Sequence, residues 1–255
     1  MVGVTVVVLS DVGAARVVAS GPTPEVASAP AGIRSRTAED APARGMPDQA
    51  PPAITPSLLS VTSTTTDRPT VALTFDDGPT AAYTPAVLDI LAEHRVQATF
   101  CMIDSQAVAE PALVQRVVAA GHRLCDHTFT HDTTIGAGDE GPMGAQLGRS
   151  RRSLATVVIP AAPVDYFRAP EGKWSPQHDQ VAARTGMRPL GWSVDTLDWT
   201  QPGVGAMVQS VQRLMHPGAV ILFHDGGGPR EQTVEAVRVL IPWLQQQGYE
   251  FTFPT

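Results

Sequence analysis

Cysteine is almost missing from this 255-residue chain, in which Cys101 and Cys125 are the only two. Two cysteines cannot build a disulfide framework, and their separation is too wide for a thiolate zinc clip. Each lies in a strand-like run, so the simpler reading is a pair of buried small hydrophobes. A bridge would need neighbouring strands and an oxidising compartment. Positive charge is scarce too: 18 Lys and Arg against 25 Asp and Glu leave a net charge of -7. There is no basic surplus to grip a phosphate backbone, and nucleic acid is not an expected partner. Long apolar runs are also lacking. Val2 to Leu9 is apolar, but Asp11 and Arg16 interrupt it well short of the ~20 residues of a membrane-spanning helix. No G-x-S-x-G stretch occurs, which disfavours a serine esterase. Gly136 to Gly141 fits G-x-G-x-x-G, but it follows no strand and Asp139 and Glu140 would repel phosphate, so no nucleotide cofactor is expected.

The chain's hydrophobic content of 43% is enough for one main domain. Residues 1–20 read as an apolar N-terminus or the apolar part of a signal peptide, although no Lys or Arg precedes that part. Residues 21–66 are rich in Pro, Ala and small polar residues and read as a disordered linker, of a kind that suits a secreted or cell-wall-associated protein. The folded part is expected over 67–255. There, strand-like runs at Val71 to Phe75, Ala98 to Ile103, His122 to Cys125, Asp165 to Arg168, Pro189 to Val194, Ala219 to His224 and Tyr249 to Phe253 alternate with helical stretches. The helices are expected at Ala82 to Arg95, Ala107 to Ala120, Gly144 to Val157, Pro176 to Thr185, Val204 to Met215 and Glu231 to Gln247. Such alternation implies an α/β fold with a parallel sheet, either a barrel or doubly wound. Polar clusters after several different strands favour the barrel, with its site at the strand C-terminal ends.

Those clusters carry the chemistry. Asp76 and Asp77 end the first strand; neighbours on an extended chain point apart, so the two acids can take different tasks at one site. Taken alone they would be a turn with helix-capping acids. His127 and His131 follow the third strand at a spacing that puts both imidazoles on one face, and with Asp77 they make a two-His, one-carboxylate set that leaves coordination positions open. Arg168 ends another strand and could orient a buried carboxylate, and the following turn, Pro170-Glu171-Gly172, offers backbone N–H groups for an oxyanion. His224 is placed as a general acid, with Asp198 as its orienting partner. Each cluster alone has a bland structural explanation. Together they supply metal ligands, a base, an acid and a charge partner for each.

The ordered set TFDDGP, HTFTH, RAPEG, DTLDW and LFHDG resembles the polysaccharide deacetylases with a NodB homology domain, a carbohydrate esterase family. The resemblance covers about Arg68 to Thr255. It implies a distorted (β/α) barrel of the NodB-like type and a divalent metal, zinc or alternatively cobalt, held by Asp77, His127 and His131. It implies Asp76 as catalytic base tethered by Arg168, His224 as catalytic acid oriented by Asp198, and Trp199 and Leu222 as the lining of the acetyl-methyl pocket. Pro170, Glu171 and Gly172 are expected to meet the substrate. Three positions depart from the family pattern: Glu171 stands where an aromatic residue is common, and Cys125 and Asp126 replace small or amide residues. The implied activity is metal-dependent removal of acetyl groups from an N-acetylglucosamine polymer such as peptidoglycan or chitin, by a monomer. The alternatives are an acetylxylan esterase acting on O-acetyl groups and a catalytically silent glycan-binding module.

Overall fold

A computed structural model of the chain describes residues 63–64, 68–134, 140–157 and 162–255. The expected apolar N-terminus, nearly all of the expected linker, and Gly136 to Asp139 of the glycine-rich stretch lie outside these residues. Strands and helices alternate in the order β1 (Thr70–Asp76), α1 (Thr84–His94), β2 (Thr99–Met102), α2 (Asp104–Ala109), α3 (Pro111–Ala119), β3 (Arg123–Asp126), α4 (Glu140–Val157), β4 (Val164–Phe167), α5 (Pro176–Arg184), β5 (Arg188–Pro189), β6 (Val194–Asp195), α6 (Val204–Leu214), β7 (Ala219–His224), α7 (Glu231–Gln246) and β8 (Glu250–Phe251). Every named strand pair is parallel. None of the described helices is long and apolar enough to cross a membrane.

The sheet runs β5-β4-β3-β2-β1-β7-β6, with β8 alongside the start of β1. Laid flat, its two edges would stand about 29 Å apart at the usual strand spacing. Yet the chain steps from β5 on one edge to β6 on the other through residues 190–193 alone, which reach at most about 18 Å. The sheet must therefore curl until its edges nearly meet. The link is stitched to both sides, Leu190 N–H donating to Phe167 O of β4 (2.8 Å) and Ser193 N–H to Val220 O of β7 (3.0 Å). This seam is what makes the barrel distorted. The sequence pattern reads Pro189 to Val194 as one strand because it is a short apolar run; the structure splits it into two edge strands facing each other across the gap.

Alternation along each strand sorts the residues onto two faces. Val71, Leu73, Phe75, Phe100, Leu124, Ile221 and Phe223 join the core beneath the helices, where the Phe75 ring stacks between Phe100 and Phe223 at 5.2 and 5.5 Å. Helix α7 covers this face with Val237, Leu240, Ile241 and Leu244, all buried. The other face fills the barrel with Ala72, Cys101, Cys125, Tyr166, Leu190 and Val220. The expected helix from Ala107 to Ala120 is broken in two, because Pro111 lacks an N–H and drives Glu110 out of helical geometry (φ -122°, ψ 54°). Ser63 and Thr64, expected as linker, pair with Ala219 and Gly218.

The two cysteines do not stay separate as the simpler reading has them. Cys101 and Cys125 form a disulfide inside the barrel, because β2 and β3 are neighbours with these residues in register. The bridge closes a span of 24 residues, so chain-entropy reasoning assigns it about 3 kcal/mol. Replacing both cysteines by Ala is expected to lower the urea unfolding free energy by about that amount; unchanged stability would show that the thiols are not paired in the folded protein.

Candidate active site

Asp76 is the last residue of β1 and points into the barrel mouth, where its Oδ1 accepts from Arg168 Nη1 (2.7 Å). Arg168 follows β4 and is 0% exposed. Three of its other four donors go to Thr74 Oγ1 (2.9 Å), Leu190 O (3.0 Å) and Gly191 O (2.9 Å). One guanidinium thus fixes the carboxylate of β1 and ties down the seam. The free oxygen of Asp76, Oδ2, lies 3.8 Å from His127 Nε2.

Asp77 turns the other way because its backbone is left-handed (φ 69°). Room for it comes from the glycines after β7: a Cβ on Gly226 would strike the Asp77 backbone, and one on Gly227 would strike its carboxylate. Asp77 Oδ1 sits 3.5 Å from His127 Nε2 and 3.4 Å from His131 Nε2, and one ligand atom from each of the three residues lies within 4.8 Å of the others. The His127 ring bonds Arg168 O through Nδ1 (2.8 Å). A carbonyl only accepts, so Nδ1 carries the hydrogen and Nε2 keeps its lone pair for a metal. Asp77 Oδ1 is buried with no hydrogen-bond donor among the described residues, as a waiting ligand would be. Burial opposes ionisation of Asp77, but with no metal bound a protonated His127, through its hydrogen bond and charge, and the charges of His224 and His131 hold the Asp77 pKa at about 2; a cation would take the place of the His127 Nε2 proton beside this anion. These residues fit a divalent cation.

The histidine loop is pinned from below. Asp126 Oδ1 accepts from Thr128 N–H (2.7 Å) and Thr128 takes φ 67°, while the α2 amides of Asp104 and Ser105 donate to Thr128 O and Phe129 O. Burial raises the pKa of both Asp104 and Asp126, and the proximity of Asp126 raises that of Asp104 further.

Across the groove, His224 Nδ1–H donates to Asp198 Oδ1 (2.7 Å), and Asp198 Oδ2 accepts from His224 N–H and Thr233 Oγ1, both at 2.8 Å. This leaves His224 Nε2 free of Asp198. Asp225, buried just behind, has its pKa raised to about 7 by burial and by the charges of Asp77 and Asp76, against the Thr84 hydrogen bond.

The groove holds about 600 Å³ and gathers Asp76, Asp77, His127, His131, Glu171, Gly172, Trp199, Leu222 and His224 along its walls. Every residue singled out from the sequence for metal or acid-base chemistry therefore converges here, Arg168 and Asp198 standing directly behind. Pro170 is buried in the turn and Glu171 is an exposed lip residue paired with Lys173 (2.7 Å). Trp199, expected to line the methyl pocket with Leu222, stands more than half exposed at the groove rim, while Leu222 is buried. Sequence reasoning missed Trp192, which lines the groove, stacks 5.5 Å from the Arg168 guanidinium and packs so closely on Gly172 that no side chain fits there. It lay hidden in the supposed strand from Pro189 to Val194; a lone Trp two residues after Leu190 in a run that turns a barrel seam was the available signal.

The sequence pattern of the family described as polysaccharide deacetylase matches residues 63–190. The chain belongs to that family. It is 41% identical over 202 residues to a chitooligosaccharide deacetylase of Sinorhizobium fredii, covering 75% of this chain and 93% of that protein. It is 36% identical to a peptidoglycan-N-acetylglucosamine deacetylase of Bacillus cereus, covering 71% and 84%. Among solved structures it resembles a CE4 family pseudoenzyme from Bacillus anthracis, with a TM-score of 0.70 and 27% identity over 76% of this chain and 67% of that one. Family membership makes this chain a hydrolase of the deacetylase class.

Burial lowers the pKa of His224, but the Asp198 hydrogen bond and charge outweigh it and the net shift is upward. Replacing Asp198 by Asn removes that charge and leaves the burial. The His224 imidazole titration, followed by its NMR ring-carbon shift, is expected to move to lower pH; no movement would show that Asp198 does not set its protonation.

Proposed function

We propose that this polysaccharide deacetylase hydrolyses acetamide groups of an N-acetylglucosamine polymer, with Asp76 as base and His224 as acid. The observation that carries the reading is the facing pair across one groove: a carboxylate locked by Arg168 on one wall and a histidine whose pKa is raised by Asp198 on the other. A pseudoenzyme shares this fold, so activity has to rest on such residues rather than on the barrel.

The donor set of two imidazoles and one carboxylate suits zinc, with cobalt as a substitute. A metal held by Asp77, His127 and His131 would polarise the acetyl carbonyl and lower the pKa of a water beside it. Asp76, with Oδ1 bound to Arg168, uses Oδ2 to take the proton of the attacking water. The oxygen charge that develops on the acetyl group is met by the backbone N–H of Glu171 in the turn after Arg168. His224 then gives its Nε2 proton to the departing amine, and Asp198 stabilises the imidazolium beforehand. Leu222 and Trp199 border the space for the acetyl methyl.

Glu171 and Asp195 bring negative charge to the lips of the groove, while the guanidinium of Arg230 is engaged by the carbonyls of Gly226, Gly227 and Pro229. Export to the cell wall or medium is part of the proposal and is supported by the disulfide in the barrel, a bond typical of oxidising compartments.

The test is acetate release from chitooligosaccharides, peptidoglycan and acetylxylan by chelated enzyme resupplied with zinc or cobalt. Release from the N-acetylated glycans is expected only with metal, and Asp76→Asn should abolish turnover while zinc stays bound. Release confined to acetylxylan, or full activity in the Asn variant, would overturn the reading.

A further inference from the structure

Resting on the reading of Asp77 as a metal ligand, we propose that Arg230 is a positioning residue for it: the guanidinium holds the turn from β7 to α7 in the shape against which the Asp77 carboxylate is seated. Arg230 is only 4% exposed and stands directly before Glu231, the first residue of α7. Three of its five donors are engaged. Nε donates to Gly226 O (2.7 Å), Nη2 to Gly227 O (3.2 Å) and Nη1 to Pro229 O (3.1 Å). No carboxylate pairs with it among the described residues. A guanidinium this deeply buried is usually matched by an acid, as Arg168 is by Asp76. This one is given over to a single stretch of main chain.

The glycines of that stretch are what a clamp is needed for. Gly227 takes φ 71°, and a run without Cβ atoms has many other conformations open to it. One of them must be selected, because Asp77 rests on it. The Asp77 carbonyl occupies the space where a Cβ on Gly226 would stand, and Asp77 Oδ2 occupies the corresponding space at Gly227. Since Asp77 Oδ1 has no donor among the described residues, packing against Gly227 has a large share in aiming the carboxylate. The strand end of the turn is fixed separately, Asp225 O accepting from Thr80 Oγ1 (2.8 Å) and Asp225 Oδ2 from Thr84 Oγ1 (2.6 Å). Arg230 fixes the helix end. Groups that orient a metal ligand without touching the metal typically change its affinity by about 10- to 100-fold.

Arg230 also borders the groove, so direct contact with the glycan is the rival role, and the two differ in what they alter. The experiment measures zinc affinity by competition with a chromophoric chelator, on protein shown to be folded by far-UV circular dichroism. Arg230→Met should weaken zinc binding about tenfold, with KM for N-acetylglucosamine oligomers little changed at saturating zinc. Gly227→Ala, whose methyl displaces the carboxylate, should also weaken zinc. Because both changes act through one turn, the double variant should lose far less than the product of the single losses. If Met at this position prevents folding, Arg230→Lys carries the test: it keeps the charge but cannot span three carbonyls, and a severalfold loss of affinity is expected. Unchanged zinc affinity in the folded Arg230 variant, a rise in KM alone, or losses that multiply in the double variant would each overturn the proposal. A wild type that binds no zinc would instead overturn the metal reading on which it rests.

Discussion

The fully buried guanidinium of Arg168 is the interaction on which the barrel and its site both depend. A buried cation without partners is strongly destabilising, and even a paired one recovers its lost hydration only when its donors are nearly all satisfied. Here its partners come from two separate parts of the barrel: Asp76 and Thr74 on the interior strand β1, and the carbonyls of Leu190 and Gly191 in the link between the two sheet edges. Its own backbone carbonyl fixes the tautomer of His127. Closing the sheet, orienting the carboxylate and preparing a metal ligand are therefore one arrangement.

The parallel sheet explains why so few residues suffice. Each strand delivers its last inward-facing side chain to the same rim, so Asp76, His127, Arg168 and His224 meet although they are up to 148 positions apart in the chain. Backbone strain supplies the rest of the aim. Asp77, Thr128, His131, Glu171 and Leu197 all have positive φ, and all lie in loops at this rim. A concentration of costly conformations around one groove is the expected mark of geometry kept for function.

Much of this was legible in the sequence because the chemistry is local to short motifs at strand ends. The alternation of strands and helices gave the fold class, and the paired acids, spaced histidines and strand-ending Arg and His gave the site. What stayed hidden depends on contacts between distant segments. The partnership of Cys101 and Cys125 follows from β2 and β3 being neighbours in register, which periodicity does not report. The break between β5 and β6 follows from the curl of the whole sheet, and with it the role of Trp192 against Arg168 and Gly172. The exposure of Trp199 likewise depends on the direction of a strained turn.

The central claim is that Arg168 and Asp76 act as one buried unit. A double-mutant cycle in metal-free protein, with Arg168→Met, Asp76→Leu and both together, measures it by urea unfolding. Each single change leaves one buried charge without its partner and should cost about 3–5 kcal/mol, whereas the double variant should cost far less than the sum. Costs that add to within about 0.5 kcal/mol would contradict the account.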